Sequence, residues 1–138
     1  MAEYGRGIKA GVVAGIIYGI ILLVLVIALA DALMPGFWTI AGAAGLAGPA
    51  IAIFATGMVV GGIIGGLIFG VIYAAAYGSL PGTSVVKGII LGIIFWLIFS
   101  VALNYGTVIT YPLYALLGLI ASLIWGALVG FFWDKFGK

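Results

Sequence analysis

The sequence predicts an all-α integral membrane protein, and its composition and glycine pattern both point to that class. Hydrophobic residues make up 67% of the 138 residues and charged residues only 6%, against about 25% in a soluble domain. Glycine recurs every fourth residue in the apolar stretches. In water, a glycine inside a helix costs roughly 1 kcal/mol relative to alanine, whereas in a bilayer small residues let helix backbones pack closely. We therefore expect a single transmembrane domain, residues 1–138, with four helices in a glycine-zipper-packed bundle.

The first span is predicted at about residues 8–30. At about 1.5 Å per residue this stretch is roughly 35 Å long, which is enough to cross a bilayer with some tilt. Asp31 and the turn sequence at 34–36 end it. No polar, cleavage-like segment follows, so we expect a retained span rather than a signal peptide.

Residues 31–48 are predicted to be an outer segment, because they are too apolar for a solvated loop. They include Trp38 and a string of alanine and glycine at 41–45, which is typical of an interfacial or partly re-entrant piece. The second span is predicted at about 49–77. It begins near Pro49, because the first position of a helix tolerates the missing N–H of proline.

The third span is predicted at about 85–104 and the fourth at about 111–133. Thr83 or Ser84 can cap the third helix by accepting hydrogen bonds from its free amide groups. The sequence at 104–106 breaks that helix, and the outer turn before the fourth span is very short. The four spans then form two helical hairpins.

The cations predict the orientation of the bundle, because all five lie on one side of a four-span chain. By the positive-inside rule, both termini and the connection between the second and third spans are cytoplasmic. We therefore expect a multi-pass protein of the cell membrane, N-in and C-in, whose main partner is the lipid bilayer. The cations are Arg6, Lys9, Lys87, Lys135 and Lys138.

The glycine spacing predicts which helix faces pack. At about 100° per residue, the stripe that contains Gly61 and the stripe that contains Gly66 lie roughly 140° apart on the second span, so we expect this helix to have two close neighbours. The stripes can all pack inside the bundle, or one can face another subunit. The predicted helix-packing residues are Gly7, Gly11, Gly15, Gly19, Gly57, Gly61, Gly65, Gly62, Gly66, Gly70, Gly88, Gly92, Gly118, Ser122, Gly126 and Gly130.

The residue inventory argues against catalysis and against bound cofactors. The chain has no cysteine and no histidine, so it lacks thiolate nucleophiles, imidazole bases and the usual ligands of haem, zinc and copper. We expect no catalytic residue, cofactor, metal site or nucleic-acid partner. Ionisable residues inside a membrane are functional by default, and the only acidic candidate is Asp31, at the outer end of the first span. With Asn104 it is a candidate outer-face contact for a partner or an ion.

Three known four-span families carry features that this sequence lacks. Small multidrug exporters carry a glutamate within the first span, and rotor proteolipids carry a carboxylate in the middle of a later span. Here the only acidic residue between Glu3 and Asp134 is Asp31. Fluoride channels combine an early arginine-bearing glycine motif with little charge bias, which conflicts with the one-sided cations.

These observations favour a non-catalytic structural or accessory subunit, in a homo-oligomer or with other membrane subunits, for example those of an energy-transducing complex. The alternative is a small oligomeric channel or carrier with Asp31 near its outer mouth. Polarity inside the assembled bundle separates the two, because conduction needs a wetted path.

Overall fold

A computed structural model of the chain describes residues 3–33, 35–43, 45–102, 105–110 and 112–137. The regular secondary structure of these residues is entirely helical, which confirms the all-α prediction. A π-helical segment, Leu97–Ala102, continues directly from α4. The helices are α1 (Tyr4–Leu33), α2 (Phe37–Ala43), α3 (Ala47–Ala76), α4 (Ser84–Trp96), α5 (Tyr105–Thr110) and α6 (Pro112–Phe136).

Three helical stretches in the described residues are long and apolar enough to cross a membrane, as expected of a membrane protein. They are Tyr4–Ala30, Ala47–Ala76 and Ala115–Phe136. The predicted spans that correspond to them are at about 8–30, 49–77 and 111–133. The stretch Ser84–Phe99 is apolar but shorter. The four-span count therefore stays a prediction.

The beginning of α4 is set by a side-chain cap. Thr83 has an extended backbone, and its hydroxyl oxygen accepts a hydrogen bond from the Val86 amide at 3.4 Å. This bond satisfies one of the free amide groups of the first turn. Of the two predicted caps, Thr83 is therefore the one used, and Ser84 begins the helix itself.

The connection between α1 and α3 contains the short helix α2 between two glycine turns. Gly36 and Gly45 have φ values of 80° and 71°, which residues with a side chain rarely adopt. The Trp38 indole N–H donates a hydrogen bond to the Ile27 carbonyl at 3.1 Å. This bond holds α2 against the outer part of α1.

The long helices pack in the order α3, α1, α6, α4. Helix α1 packs against α3 and α6, and α6 packs against α1 and α4. The expectation that the second span, α3, has two close helical neighbours is therefore wrong for the isolated chain: α1 and α6 occupy the central positions. The reason is that, among the described residues, only one of the two glycine faces of α3 meets another helix in backbone contact.

Aromatic side chains fill the space between α3 and the α4–α6 pair. The buried residues include Phe69 and Tyr73 of α3, Leu91 of α4, and Val129 and Trp133 of α6. Helices that pack through large rings lie further apart than helices that pack glycine against glycine. The bundle thus has two tightly packed helix pairs with an aromatic layer between them.

Candidate functional site

The described charged side chains gather at one end of the bundle, which we call the charged end. Hydrogen bonds there connect the beginning of α1, the end of α3, the beginning of α4 and the end of α6. The charged residues described at this end are Glu3, Arg6, Lys9, Lys87, Asp134 and Lys135. Apart from Lys138, outside the described residues, the cations that the sequence places on one side of the spans therefore meet at one end of the folded chain.

Ser84 is the centre of a polar cluster at the charged end. The residue is buried, at 4% exposed, and its hydroxyl donates a hydrogen bond to the Asp134 carboxylate at 2.6 Å. A serine hydroxyl has one proton to donate, so the Tyr77 hydroxyl, 2.7 Å away, is the donor in its own bond to Ser84. The Tyr73 hydroxyl donates to the Ser84 carbonyl at 2.6 Å. One residue thus links α3, α4 and α6.

Two cations at the charged end bind main-chain carbonyls where helices finish. Lys87 Nζ donates a hydrogen bond to the Tyr77 carbonyl at 2.7 Å and lies 3.8 Å from the centroid of the Tyr77 ring. Arg6 Nε donates to the Trp133 carbonyl at 2.6 Å, and its guanidinium carbon lies 4.4 Å from a Trp133 ring centroid. The last carbonyls of a helix lack donors within the helix, and cations are favourable there. These contacts stabilise the assembly of helix ends.

The polar side chains at the charged end are bonded mainly to one another and to main-chain carbonyls. The Ser84 hydroxyl, the Tyr77 hydroxyl and the Asp134 carboxylate are bonded to one another. Within the described part of the chain, no three side chains that commonly ligate metals come together. The cluster therefore has the geometry of a structural polar network.

The first glycine stripe of α1 lies against α3 in direct backbone contact. The position that a Cβ would take at Gly11 is occupied by the carbonyl oxygen of Gly66, and the reverse holds for a Cβ at Gly66. The pairs Gly7 with Gly70 and Gly15 with Gly62 meet in the same way, and a Cβ at Gly19 would meet the Met58 carbonyl. Any side chain at these positions would force the two helices apart.

Helices α4 and α6 approach each other through a second, shorter set of small residues. A Cβ at Gly88 would meet the carbonyl of Gly126, and a Cβ at Gly126 would meet the carbonyl of Gly88. Gly92 lies against the Ser122 carbonyl in the same manner, and Gly130 lies against that of Ser84. Gly118 borders a groove between α1 and α6 of about 300 Å³.

Two glycines of the second stripe of α3 do not pack against any other described helix. A Cβ at Gly57 or at Gly61 would meet nothing within 4 Å, and both residues are exposed. Gly65, one turn further along, lies under Trp125, whose ring carbon would be 3.0 Å from an added Cβ. We call the exposed surface around Gly57 and Gly61 the outer face of α3. This name refers to the exposed side of the helix and not to a side of the membrane.

A pocket of about 330 Å³ lies near the middle of the bundle, between α3 and α4. Six aromatic side chains line it, which is the character of a pocket for an apolar ligand. We call it the aromatic pocket. Its aromatic residues are Tyr18, Phe69, Phe95, Trp96, Phe99 and Trp125.

Five of these rings form a continuous row, each packed against the next. Tyr18 stacks on Trp125, with centroids 4.9 Å apart and an angle of 6° between the rings. Trp125 and Phe69 are 5.0 Å apart, as are Phe69 and Phe95. Phe95 then stacks on Phe99 at 5.7 Å and 4°. The row connects α1, α6, α3, α4 and the π-helical segment across the pocket.

The two candidate outer-face contacts lie where the structure gives no side-chain geometry. Asn104 is outside the described residues. The backbone of Asp31 belongs to α1, but its side chain is outside the described part of the structure. Their suggested role as partner or ion contacts stays a prediction.

Sequence reasoning missed the Ser84 cluster and the aromatic row as units. Part of the signal was present, because Phe69, Tyr73 and Tyr77 recur every fourth residue along α3, and Trp125 and Trp133 are eight residues apart on α6. Such spacing places rings on one helix face. It carries no information on which rings of another helix they meet.

Comparison with known proteins places the whole chain in one family. A family of unknown function, DUF6789, matches residues 1–138. No curated protein and no solved structure matches the chain. The chain therefore belongs to the DUF6789 family.

Proposed function

We propose that the chain is a four-span membrane protein that acts as a non-catalytic structural or accessory subunit. Both termini and the connection between α3 and α4 face the cytoplasm in this proposal. The subunit associates with a second copy of itself through the outer face of α3.

The four-span arrangement is supported by the continuity of α4 with the π-helical segment. Together they run from Ser84 to Ala102 without interruption. At about 1.5 Å per residue this stretch is roughly 28 Å long, close to the roughly 30 Å of a bilayer core. The cations at the charged end support the proposed orientation.

The outer face of α3 is the observation that carries the subunit proposal. Helix α3 has two glycine faces, and among the described residues only the Gly62–Gly66–Gly70 face meets another helix in backbone contact. In a bilayer, helix association depends on close backbone approach at small residues, because lipid offers no hydrophobic driving force. Gly57 and Gly61 leave such an approach open to a second copy. A symmetric dimer would use the same face on both subunits.

The subunit proposal is tested by the molecular mass of the purified protein in a mild detergent, measured by light scattering or sedimentation. We expect the wild-type chain to be a dimer or larger and Gly61→Leu to be monomeric. Gly48→Leu is the matched control, because Gly48 also belongs to α3 and an added Cβ there would also meet nothing within 4 Å. A monomeric wild-type protein, or the same loss of mass in both variants, would contradict association through this face.

A further inference from the structure

The aromatic pocket has features of a ligand site that helix packing alone does not require. Its volume of about 330 Å³ falls within the range of small-molecule sites. The ring row gives it flat, polarisable walls, and such walls pack best against another flat ring. A saturated acyl chain presents no flat face. The aromatic lining of the pocket therefore favours a planar compound.

The pocket lies at the depth of the bilayer interior. Its lining residues Tyr18, Gly65, Gly92 and Ser122 are eight to fourteen residues from the ends of their helices at the charged end. At about 1.5 Å per residue this is roughly 12–21 Å from that end, near the middle of a core about 30 Å thick. A ligand would thus come from the lipid phase.

The entrance lies between α3 and α4. Ile68 of α3 and Phe99 of the π-helical segment both line the pocket, and they are 51% and 52% exposed. Because Phe99 belongs to the π-helical segment, a π-helical turn forms part of the pocket wall. Such turns occur often at functional sites. The opening faces the surface that lipid covers in a membrane-inserted chain.

One polar group of the pocket lacks a partner. The indole N–H of Trp125 is buried and has no hydrogen-bond acceptor among the described residues. The other indole of the pocket differs, because Trp96 donates its N–H to the Ala115 carbonyl at 2.8 Å. A buried donor without an acceptor is unfavourable. A ligand acceptor that reached this N–H, once the neighbouring side chains shifted to expose it, would satisfy it.

We propose that the aromatic pocket binds a planar, mostly apolar ring compound from the bilayer, with a carbonyl group that accepts a hydrogen bond from Trp125. The quinones that dissolve in membranes belong to this chemical class. The inference rests on the proposed membrane insertion of the chain.

Binding is tested with two probes of nearly the same shape, 2-methyl-1,4-naphthoquinone and 2-methylnaphthalene, on protein in nanodiscs of defined lipid, with empty nanodiscs subtracted. The quinone cannot form thiol adducts, because the chain has no cysteine. We expect saturable binding of one quinone per chain, with at least tenfold weaker binding of the naphthalene. Non-saturable uptake that matches empty nanodiscs would overturn the proposal, and equal affinities would overturn the role of the carbonyl.

Blocking the entrance locates the site. Ile68→Trp places a larger side chain at the pocket mouth and should weaken quinone binding at least tenfold. Leu67→Trp is the matched control, since Leu67 is the neighbouring residue of α3, is 43% exposed and does not line the pocket. Equal effects of the two substitutions would place the binding site elsewhere.

Removing the indole N–H tests the hydrogen bond. Trp125→Phe keeps a ring in the row, and we expect it to weaken quinone binding about tenfold while the naphthalene affinity stays unchanged. Trp133→Phe is the control, because the Trp133 N–H is also buried without an acceptor among the described residues but lies outside the pocket. Equal quinone affinity in both variants would overturn the assigned hydrogen bond. Quinone binding should persist in Gly61→Leu, so failure of the dimer and failure of the pocket are distinguishable.

Discussion

The hydroxyl of Ser84, the first residue of α4, donates a hydrogen bond to the carboxylate of Asp134, close to the end of α6, at 2.6 Å. The two residues are 50 positions apart in the chain. Their bond fixes the register of α4 against α6 at the charged end, next to the contact between Gly130 and the Ser84 carbonyl.

Ser84→Ala should lower the free energy of unfolding by about 1–2 kcal/mol, because it removes the hydrogen bonds of the Ser84 hydroxyl with the partly buried Tyr77 hydroxyl and with the exposed Asp134 carboxylate. The measurement is reversible denaturant unfolding in detergent. Ser79→Ala provides the control, since Ser79 is exposed in the same connection. Equal stabilities of the two variants would show that the Ser84 cluster does not hold the helices together.

The two glycine faces of α3 should respond differently to the same substitution. Gly66→Leu should destabilise the chain by about 1–3 kcal/mol or prevent folding, because the added side chain would meet the main chain of Gly11. Gly61→Leu should leave the packing of α1 on α3 intact and cost only the stability that dimer association adds, because nothing among the described residues lies within 4 Å of the added Cβ. If Gly66→Leu does not fold, Gly66→Ala gives a measurable loss of stability. Equal stability of Gly61→Leu and Gly66→Ala would contradict the packing of α1 on α3.

The proposed orientation predicts which connections are accessible from outside an intact cell. The chain has no native cysteine, so single cysteines report without background. A cysteine at Ser79 should be protected from an impermeant thiol reagent, and one at Gly106 should be labelled. Labelling of Ser79→Cys together with protection of Gly106→Cys would show that the chain has the opposite orientation.

The purified chain in liposomes should carry no ion current above that of empty liposomes. The sequence has no histidine, and its three acidic residues are Glu3, Asp31 and Asp134, so no spanning segment carries a carboxylate near its middle that could relay protons. Asp31→Asn should likewise give no current. A reproducible current that Asp31→Asn abolishes would favour the channel alternative over the subunit proposal.

The parts of the fold that depend on local spacing could be predicted from the sequence. Long apolar runs predict the helices, and Thr83 before an apolar run predicts a cap. Gly11 and Gly66 also belong to visible stripes, because residues four apart share a helix face. The partner of each stripe could not be predicted, since Gly57 and Gly61 have the same spacing as Gly62 and Gly66 and yet meet no other helix among the described residues.

The candidate sites depend on tertiary contacts that the local pattern does not contain. Ser84 and Asp134 come together only after α4 and α6 have packed. The aromatic pocket likewise needs Tyr18 of α1 and Trp125 of α6 to stack beside rings of α3 and α4. The π-helical segment that carries Phe99 has an ordinary apolar sequence, Leu97–Ala102, with no glycine or proline to mark it.

The most direct test of the subunit proposal is oxidative cross-linking of Gly61→Cys in native membranes, with copper phenanthroline as the oxidant. Ile20→Cys is the control, because Ile20 is 49% exposed on α1 and lies at nearly the same distance from the charged end, about 24 Å against about 22 Å for Gly61. Association through the outer face of α3 predicts a disulfide-linked dimer for Gly61→Cys and a monomer for Ile20→Cys. A monomer for both variants, or equal dimer yields from both, would contradict it.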